Sequence, residues 1–382
     1  MSLPGRAAVV IVGGGVIGTS IAFHLAEAGV NDVLLIERDA LASGSTSRAA
    51  GGVRAQFSDE LNIAIALRSL RAFDAFPERP GVEIDLRKVG YLFLLDREHD
   101  VAVFERSIAL QNEHGVPSRM IGPAEAKRLS PLIGVDGVLA ASFCPIDGHA
   151  SPESVVQGYA AGARAHGATV VTGCALTGIE VDGDEIRAVE TSHGRVRTGT
   201  VICCAGVWSP AVGEMVGLRL PVVPYLREVG FTGPLPGAGR PPLTIDFTTS
   251  FYFHGEGQGL LFGMADPAQP AGLDAPRDPD WLEKVVAVAE RRAPVLCDAG
   301  IAGGWTGFYE ATPDHNALIG EWAGVARLLY ATGFSGHGFL QAPAVGEIVR
   351  DLVLERGPFV DVTPLAVERF SSGRTRPEHN VI

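Results

Sequence analysis

The stretch AAVVIVGGGVIGTSIAFHLAEAGVNDVLLIER, residues 7–38, decides the fold. Its first six residues are an unbroken apolar run, the pattern of a strand covered on both faces. Gly13–Gly18 follows at once and reads G-x-G-x-x-G. The next stretch places Ile21, Leu25 and Ala28 on one helical face, and Gly29 stops the helix. Asp32–Arg38 is a second buried strand. In this βαβ unit Gly13 permits the tight turn, Gly15 lets a pyrophosphate approach the backbone, and Gly18 lets helix and strand pack closely. Val16 and Ile17 open the helix, whose unpaired N–H groups and partial positive charge favour phosphates. Glu37 ends the second strand, where a carboxylate takes ribose hydroxyls, and Arg38 stands beside it. The unit is expected to bind a dinucleotide, and the fingerprint alone leaves FAD and NAD both open.

The segment SGSTSRAAGGVRAQF, residues 43–57, bears on that choice. It is too polar for a core strand and too rich in small residues for an ordinary solvated loop. Ser43, Ser45, Thr46 and Ser47 offer hydroxyls to a pyrophosphate from the side opposite the first helix. Beyond Arg48, the residues Ala49, Ala50, Gly51 and Gly52 have little bulk, so the backbone can lie against a flat ring. An NAD enzyme has no evident need for that. The competing reading is a hydrophilic surface loop.

The totals bound the rest. The chain has 382 residues, 46% apolar and 20% charged, a globular composition long enough for two or three domains. A net charge of −13 with no basic run argues against a nucleic-acid partner. The five cysteines form no Cys-x-x-Cys pair, so no metal site is expected, and Cys203 and Cys204 read as buried strand thiols. The apolar run before the glycines is too short for a signal peptide or a membrane span, and the expected compartment is the cytoplasm.

Further along, 58–76 reads as a helix capped by Ser58 or Asp59, with Leu61, Ile65, Leu70 and Phe73 on its apolar side. Residues 83–145 mix the strand-like VGYLFLL with a helix over 100–115, and 151–167 is a helix with a Ser cap and a Gly stop. Four strand-like runs follow to residue 206; 249–267 reads as a hairpin turning at Gly257–Gly259; the last 80 residues hold GWTGFYEATPD, the strand RLLYATG and a final helix. The fold class is α/β. A Rossmann-type nucleotide domain on a parallel sheet, built from 1–82, 146–220 and 301–382, is interrupted by an α+β substrate domain from 83–145 and 221–300, on a mixed or antiparallel sheet.

Five segments taken in order resemble the D-amino acid oxidase-like superfamily of FAD-dependent oxidoreductases, most closely its glycine/sarcosine oxidase branch. They are VIVGGGVIG with LLIER, SGSTSRAAGGVR (43–54), CCAGVWS (203–209), YFHGEGQGLLFG (252–263), and GWTGFYEATPDHNALIG with ATGFSGHGF (304–320 and 331–339). The resemblance covers nearly the whole chain and implies FAD bound in an extended form. It places Gly13, Gly15 and Gly18 at the phosphates, Glu37 at the ribose, and Ser45, Thr46, Ala49, Gly51 and Gly52 along the pyrophosphate towards the flavin. Leu176 would contact adenine, Ala205, Gly206 and Trp208 would line the cofactor, and Gly333, Phe334, Ser335, Gly336, His337, Gly338 and Phe339 would close over its far end. Read from the residues alone, that glycine-rich stretch brings exposed N–H groups to another helix N-terminus, which favours electron density on a reduced flavin. His337 reads equally as a structural loop residue.

The implied reaction is oxidation of the C–N bond of a small amino acid or N-alkyl amino acid, sarcosine-, glycine- or proline-like, to an imine by hydride transfer. Arg54 matches an Arg that holds the substrate carboxylate in monomeric sarcosine oxidases, and Tyr252 a substrate-contacting Tyr of glycine oxidases. Departures accompany these matches. Tyr309 replaces the carboxylate-binding Arg of glycine and D-amino acid oxidases, and Leu340 replaces a Lys of the sarcosine oxidases. Leu261 aligns with the Lys that helps those enzymes use oxygen. Gly307 stands where they carry a flavin-attached Cys, and Arg48 where dimethylglycine dehydrogenase-like proteins carry a flavin-attached His. FAD is therefore expected without a covalent link, with oxygen or another redox protein as electron acceptor. The pattern is nearer to the β subunits of multi-subunit sarcosine oxidases and proline dehydrogenases, so a homo- or hetero-oligomer is also expected. Other readings are a flavin-binding subunit inactive alone, an NAD-dependent dehydrogenase and an NAD(P)H-dependent flavoprotein; the last lacks a second G-x-G-x-x-G after a strand.

Overall fold

A computed structural model describes residues 3–380. The first apolar run forms the strand Val9–Val12, buried at every position, and the helix Val16–Glu27 follows the glycine turn. Val33–Ile36 returns beside it in parallel. Together they are the centre of a six-stranded sheet ordered Leu318–Glu321, Leu328–Thr332, Val201–Cys203, Val9–Val12, Val33–Ile36, Thr169–Val171. All its pairs are parallel except the edge pair of Leu318–Glu321 with Leu328–Thr332.

Side chains alternate across a strand, so each face of this sheet has its own core. Val9 and Ile11 join Ile21, Phe23, Tyr159, Val345 and Ile348 on the helical side. That layer holds the helices Val16–Glu27, Glu60–Asp74, Pro152–Ala165 and Gly338–Val353. Val10 and Val12 instead meet Ile186, Val189 and Val196. These belong to an antiparallel three-stranded sheet of Leu176–Asp182, Glu185–Thr191 and Gly194–Arg197. Of the two candidate caps for the helix after residue 57, Asp59 is the one used. Its Oδ1 accepts from the Leu61 and Asn62 N–H groups at 2.9 and 3.2 Å.

A second, eight-stranded sheet runs Ile301–Ala311, Val223–Thr232, Gly259–Met264, Phe251–Glu256, Leu243–Asp246, Tyr91–Leu95, Ala140–Cys144, Arg119–Ile121. Its one parallel pair is Leu243–Asp246 with Tyr91–Leu95, so it is mixed. The hairpin over 251–264 turns at Gly257, where φ is +56°. Ile301–Ala311 was expected with the nucleotide unit but pairs along its whole length with Val223–Thr232. Its small, aromatic and β-branched residues fit a sheet edge, and periodicity does not say which sheet that edge belongs to. A short bridge of Gly52–Val53 with Gly148–His149 ties the 43–57 segment to the residues after Ala140–Cys144.

An ion cluster fastens the helix Trp281–Arg292 beneath this sheet. Arg292 and Asp246 are each 1% exposed and paired, and Arg292 Nη2 lies 2.8 Å from Asp96 Oδ2. Its Nη1 also donates to the Asp136 carbonyl at 2.9 Å. Removing one member of a buried pair leaves the other charge uncompensated. Arg292→Ala is expected to lower the unfolding free energy by about 3–5 kcal/mol, read from urea denaturation of the FAD-loaded protein.

Candidate active site

One cavity of about 480 Å³ runs between the two sheets. At one end of it lies the fingerprint turn. Gly13 has φ +113°, and a Cβ there would stand 2.3 Å from the Cys204 carbonyl oxygen. A Cβ on Gly18 would stand 2.0 Å from the Gly13 carbonyl oxygen. Gly13, Gly15, Val16 and Ile17 line the cavity. Gly18 does not: it serves the helix–strand approach. Thr46 Oγ1 accepts from the Val16 N–H at 3.1 Å, which puts this hydroxyl at the helix N-terminus. The carboxylate of Glu37 is oriented by the N–H groups of Gly14 and Asp39, both at 2.7 Å, with Arg38 alongside. The Arg38 guanidinium stacks 4.5 Å from the Trp208 ring centroid, and Leu176 completes that end.

Ser43, Ser45, Arg48, Ala49, Gly51 and Gly52 line the cavity beyond this end, together with Ala205, Gly206, Trp208 and Gly307. Ser47 lies outside the lining; it sits in the turn Thr46–Arg48 with its N–H on the Ala42 carbonyl. Gly307 and Arg48, the two positions read as lacking a flavin attachment, are neighbours: a Cβ on Gly307 would lie 2.5 Å from Arg48 Cβ. At the far end Ser335, Gly336, His337, Gly338, Phe339 and Leu340 form the wall, where the helix Gly338–Val353 starts. Gly333 and Phe334 stand behind it. Phe334 is 1% exposed in the helical core, and the Gly333 N–H donates to Glu310 Oε2 at 3.1 Å. Leu261 is buried off the cavity, and the wall there is made by Met264 and Ala265.

Arg54, Tyr252 and Tyr309, expected from distant stretches of sequence, meet at this far end. Tyr91 and Arg227 join them and were not anticipated. Arg227 lies on the strand opposite Gly307, and its guanidinium sits 5.1 Å from the Tyr309 ring and 5.6 Å from that of Tyr225. Among the described residues it has no carboxylate partner, and its buried Nε has no hydrogen-bond partner. Burial weakens its hold on its proton, while burial raises the Tyr91, Tyr252 and Tyr309 phenols and keeps them neutral. The signal for Arg227 was a lone Arg within the strand VPYLREVGF, legible only once that strand is set beside Ile301–Ala311.

Arg54 is 2% exposed and forms no ion pair among the described residues. Its Nη2 lies 3.0 Å from His337 Nε2 and 2.6 Å from the Asn380 carbonyl, and its Nη1 donates to the Gln56 carbonyl. Burial, then the Arg54 charge, hold the His337 imidazole well below its ordinary value, so it is neutral and its Nε2 accepts. Behind Arg54, buried Asp147 accepts from the Ala55 N–H at 2.9 Å and from Gln56 Nε2 at 3.2 Å. Burial raises this carboxyl to about 7.

A family profile described as FAD dependent oxidoreductase matches residues 8–352. The chain belongs to that family. FAD is its cofactor, and the glycine cradle, the hydroxyl at the helix N-terminus and the small-residue lining of the cavity fit an extended FAD. This oxidoreductase is 31% identical over 391 residues to the mitochondrial dimethylglycine dehydrogenase of Mus musculus, an alignment with 97% of this chain and 45% of that protein. It is 30% identical to FAD-dependent oxidoreductase domain-containing protein 1 of Bos taurus, over 99% of this chain and 88% of that one. The chain thus spans less than half the length of the first of these relatives. Among solved structures, L-proline dehydrogenase from P. horikoshii superposes with TM-score 0.92 at 33% identity, covering 98% of this chain and 100% of that one. Glycine oxidase from Geobacillus kaustophilus gives 0.87 at 25% identity, covering 96% and 99%. Among the described residues no helix is long and apolar enough to cross a membrane.

Gly18→Ala drives a methyl group into the Gly13 carbonyl, and the purified variant is expected to carry less than about a tenth of the FAD of the parent, by absorbance against protein. Asp147 holds its proton up to about 7 when folded, against 3.8 ordinarily. The folded chain binds more protons in that window, so stability present below 3.8 is lost as pH rises through 7. The melting temperature of Asp147→Asn relative to the parent should therefore climb across this interval, and a constant difference would contradict the assignment.

Proposed function

We propose that this oxidoreductase oxidises the C–N bond of a small amino acid or N-alkyl amino acid, of sarcosine, glycine or proline type, to the imine, which water hydrolyses. What carries the reading is one cavity that joins the dinucleotide turn to two guanidinium groups without counter-charges. Bound FAD supplies the two-electron acceptor that takes hydride from the carbon beside nitrogen. Arg54 and Arg227 attract the substrate carboxylate, and a guanidinium suits it through paired N–H donors. Where the carboxylate-binding Arg of glycine oxidases is replaced by Tyr309, Arg227 brings a cation to that ring from the next strand.

The same charges favour the reactive form of the amine. A neutral tyrosine wall in low dielectric and nearby cations both disfavour an ammonium group, so the substrate nitrogen gives its proton to solvent on binding. No strong base is required, and Asp147 takes no part in proton removal because Gln56 and the Ala55 N–H occupy it behind Arg54. Gly307 and Arg48 offer no nucleophile, which supports an FAD held without a covalent bond.

The test is anaerobic: the yellow protein is mixed with sarcosine, glycine, L-proline and D-alanine, and the flavin absorbance is followed. Bleaching by at least one of them is expected, and the rate of colour return in air separates oxygen from another redox protein as acceptor. Arg227→Met should raise the KM of that amine about 10–100-fold and change its saturating reduction rate far less. Bleaching by NADH with none by any amine would overturn the reading.

A further inference from the structure

We infer that the segment Arg376–Asn380 belongs to the substrate site, with Glu378 acting as a positioning residue for Arg54. The inference rests on the reading of Arg54 as a carboxylate receptor. The Asn380 carbonyl accepts from Arg54 Nη2 at 2.6 Å, and Asn380 is itself fully buried. Its own N–H donates to Glu378 Oε1 at 2.9 Å, and its Nδ2 to the Gln56 carbonyl at 3.4 Å. Glu378 is 3% exposed and has no cationic partner among the described residues. Its Oε1 takes the N–H and hydroxyl of Ser58 at 3.0 and 2.7 Å, and its Oε2 takes Asn62 Nδ2 at 3.1 Å.

A buried carboxylate satisfied only by neutral donors is a costly construction. Here one acceptor, Glu378 Oε1, gathers the N–H and hydroxyl of Ser58 and the Asn380 N–H, which holds Asn380 firmly without bringing a negative charge into contact with Arg54. The three acceptors that meet Arg54, two carbonyls and a neutral imidazole, aim the guanidinium and leave its charge uncompensated. A carboxylate in direct contact would have filled the place of the substrate's. The strap is anchored independently of Arg54, by Arg376 on Asp59 and the Arg376 carbonyl on Asn316 Nδ2.

The test uses pyrrole-2-carboxylate, a carboxylate without an oxidisable amine, binding to the FAD-loaded protein and read by perturbation of the flavin spectrum. Glu378→Ala is expected to weaken its binding about tenfold, and Glu378→Gln, which keeps the Oε1 acceptor, less than about threefold. FAD content should be unchanged. In an Arg54→Met background Glu378→Ala should cost nothing further, because a positioning effect vanishes with the group positioned. For any amine that bleaches the flavin, KM rises with the probe constant while the saturating rate holds. The proposal is overturned if Glu378→Ala binds the probe like the parent, if it costs as much without Arg54 as with it, or if Arg54→Met itself binds normally. Should no amine bleach the flavin while the cycle behaves as expected, the positioning role stands and the amine reading falls.

Discussion

A methyl group on Gly18 would stand 2.0 Å from the Gly13 carbonyl oxygen, and one on Gly13 would stand 2.3 Å from that of Cys204. These two approaches bring the first helix down onto the first strand and the first strand up to its neighbour Val201–Cys203. The cavity owes its position to them. The helix N-terminus opens into it, and the Ala205–Trp208 turn that leaves Val201–Cys203 becomes its wall. The 43–57 segment is then folded back between the two sheets, carrying Thr46 to the helix N-terminus and Arg54 to the far end of the cavity.

The electrostatics of the two ends differ in kind. At the dinucleotide end the charges are met locally: Glu37 by the N–H groups of Gly14 and Asp39, and Arg38 by Asp39. At the other end Arg54 and Arg227 are buried among tyrosines with no carboxylate paired to either among the described residues, and Asp147, close to Arg54, holds its proton up to about 7. Leaving charges buried and unmatched costs stability, and such an arrangement is found where a ligand supplies the opposite charge.

Much of this was legible in the sequence because its signals are local. The βαβ unit, the Asp59 and Ser151 caps and the 251–264 hairpin each declare themselves within a few residues, through period, cap and turn chemistry. What escaped depends on pairing over long range. Ile301–Ala311 joined the substrate-side sheet because its hydrogen bonds go to Val223–Thr232, a choice that neither strand's residues encode alone. Arg227 became visible through that same pairing. Glu378 and Asn380 lie more than 300 positions from Ser58 and Arg54, and nothing in PEHN announces a contact. Gly18 and Phe334, placed at the cofactor by resemblance, lie outside the cavity lining and pack against the Gly13 carbonyl and in the helical core, since a motif names a neighbourhood and not each contact within it.

The contact between Gly307 and Arg48 bears on how this scaffold can change. The family resemblance puts a flavin attachment at each of these positions in other proteins, and here a side chain at residue 307 would overlap the stem of Arg48, while the Arg48 carbonyl is held at 2.9 Å by the Trp305 indole N–H. A tether gained at one position therefore has to be accompanied by a smaller residue at the other.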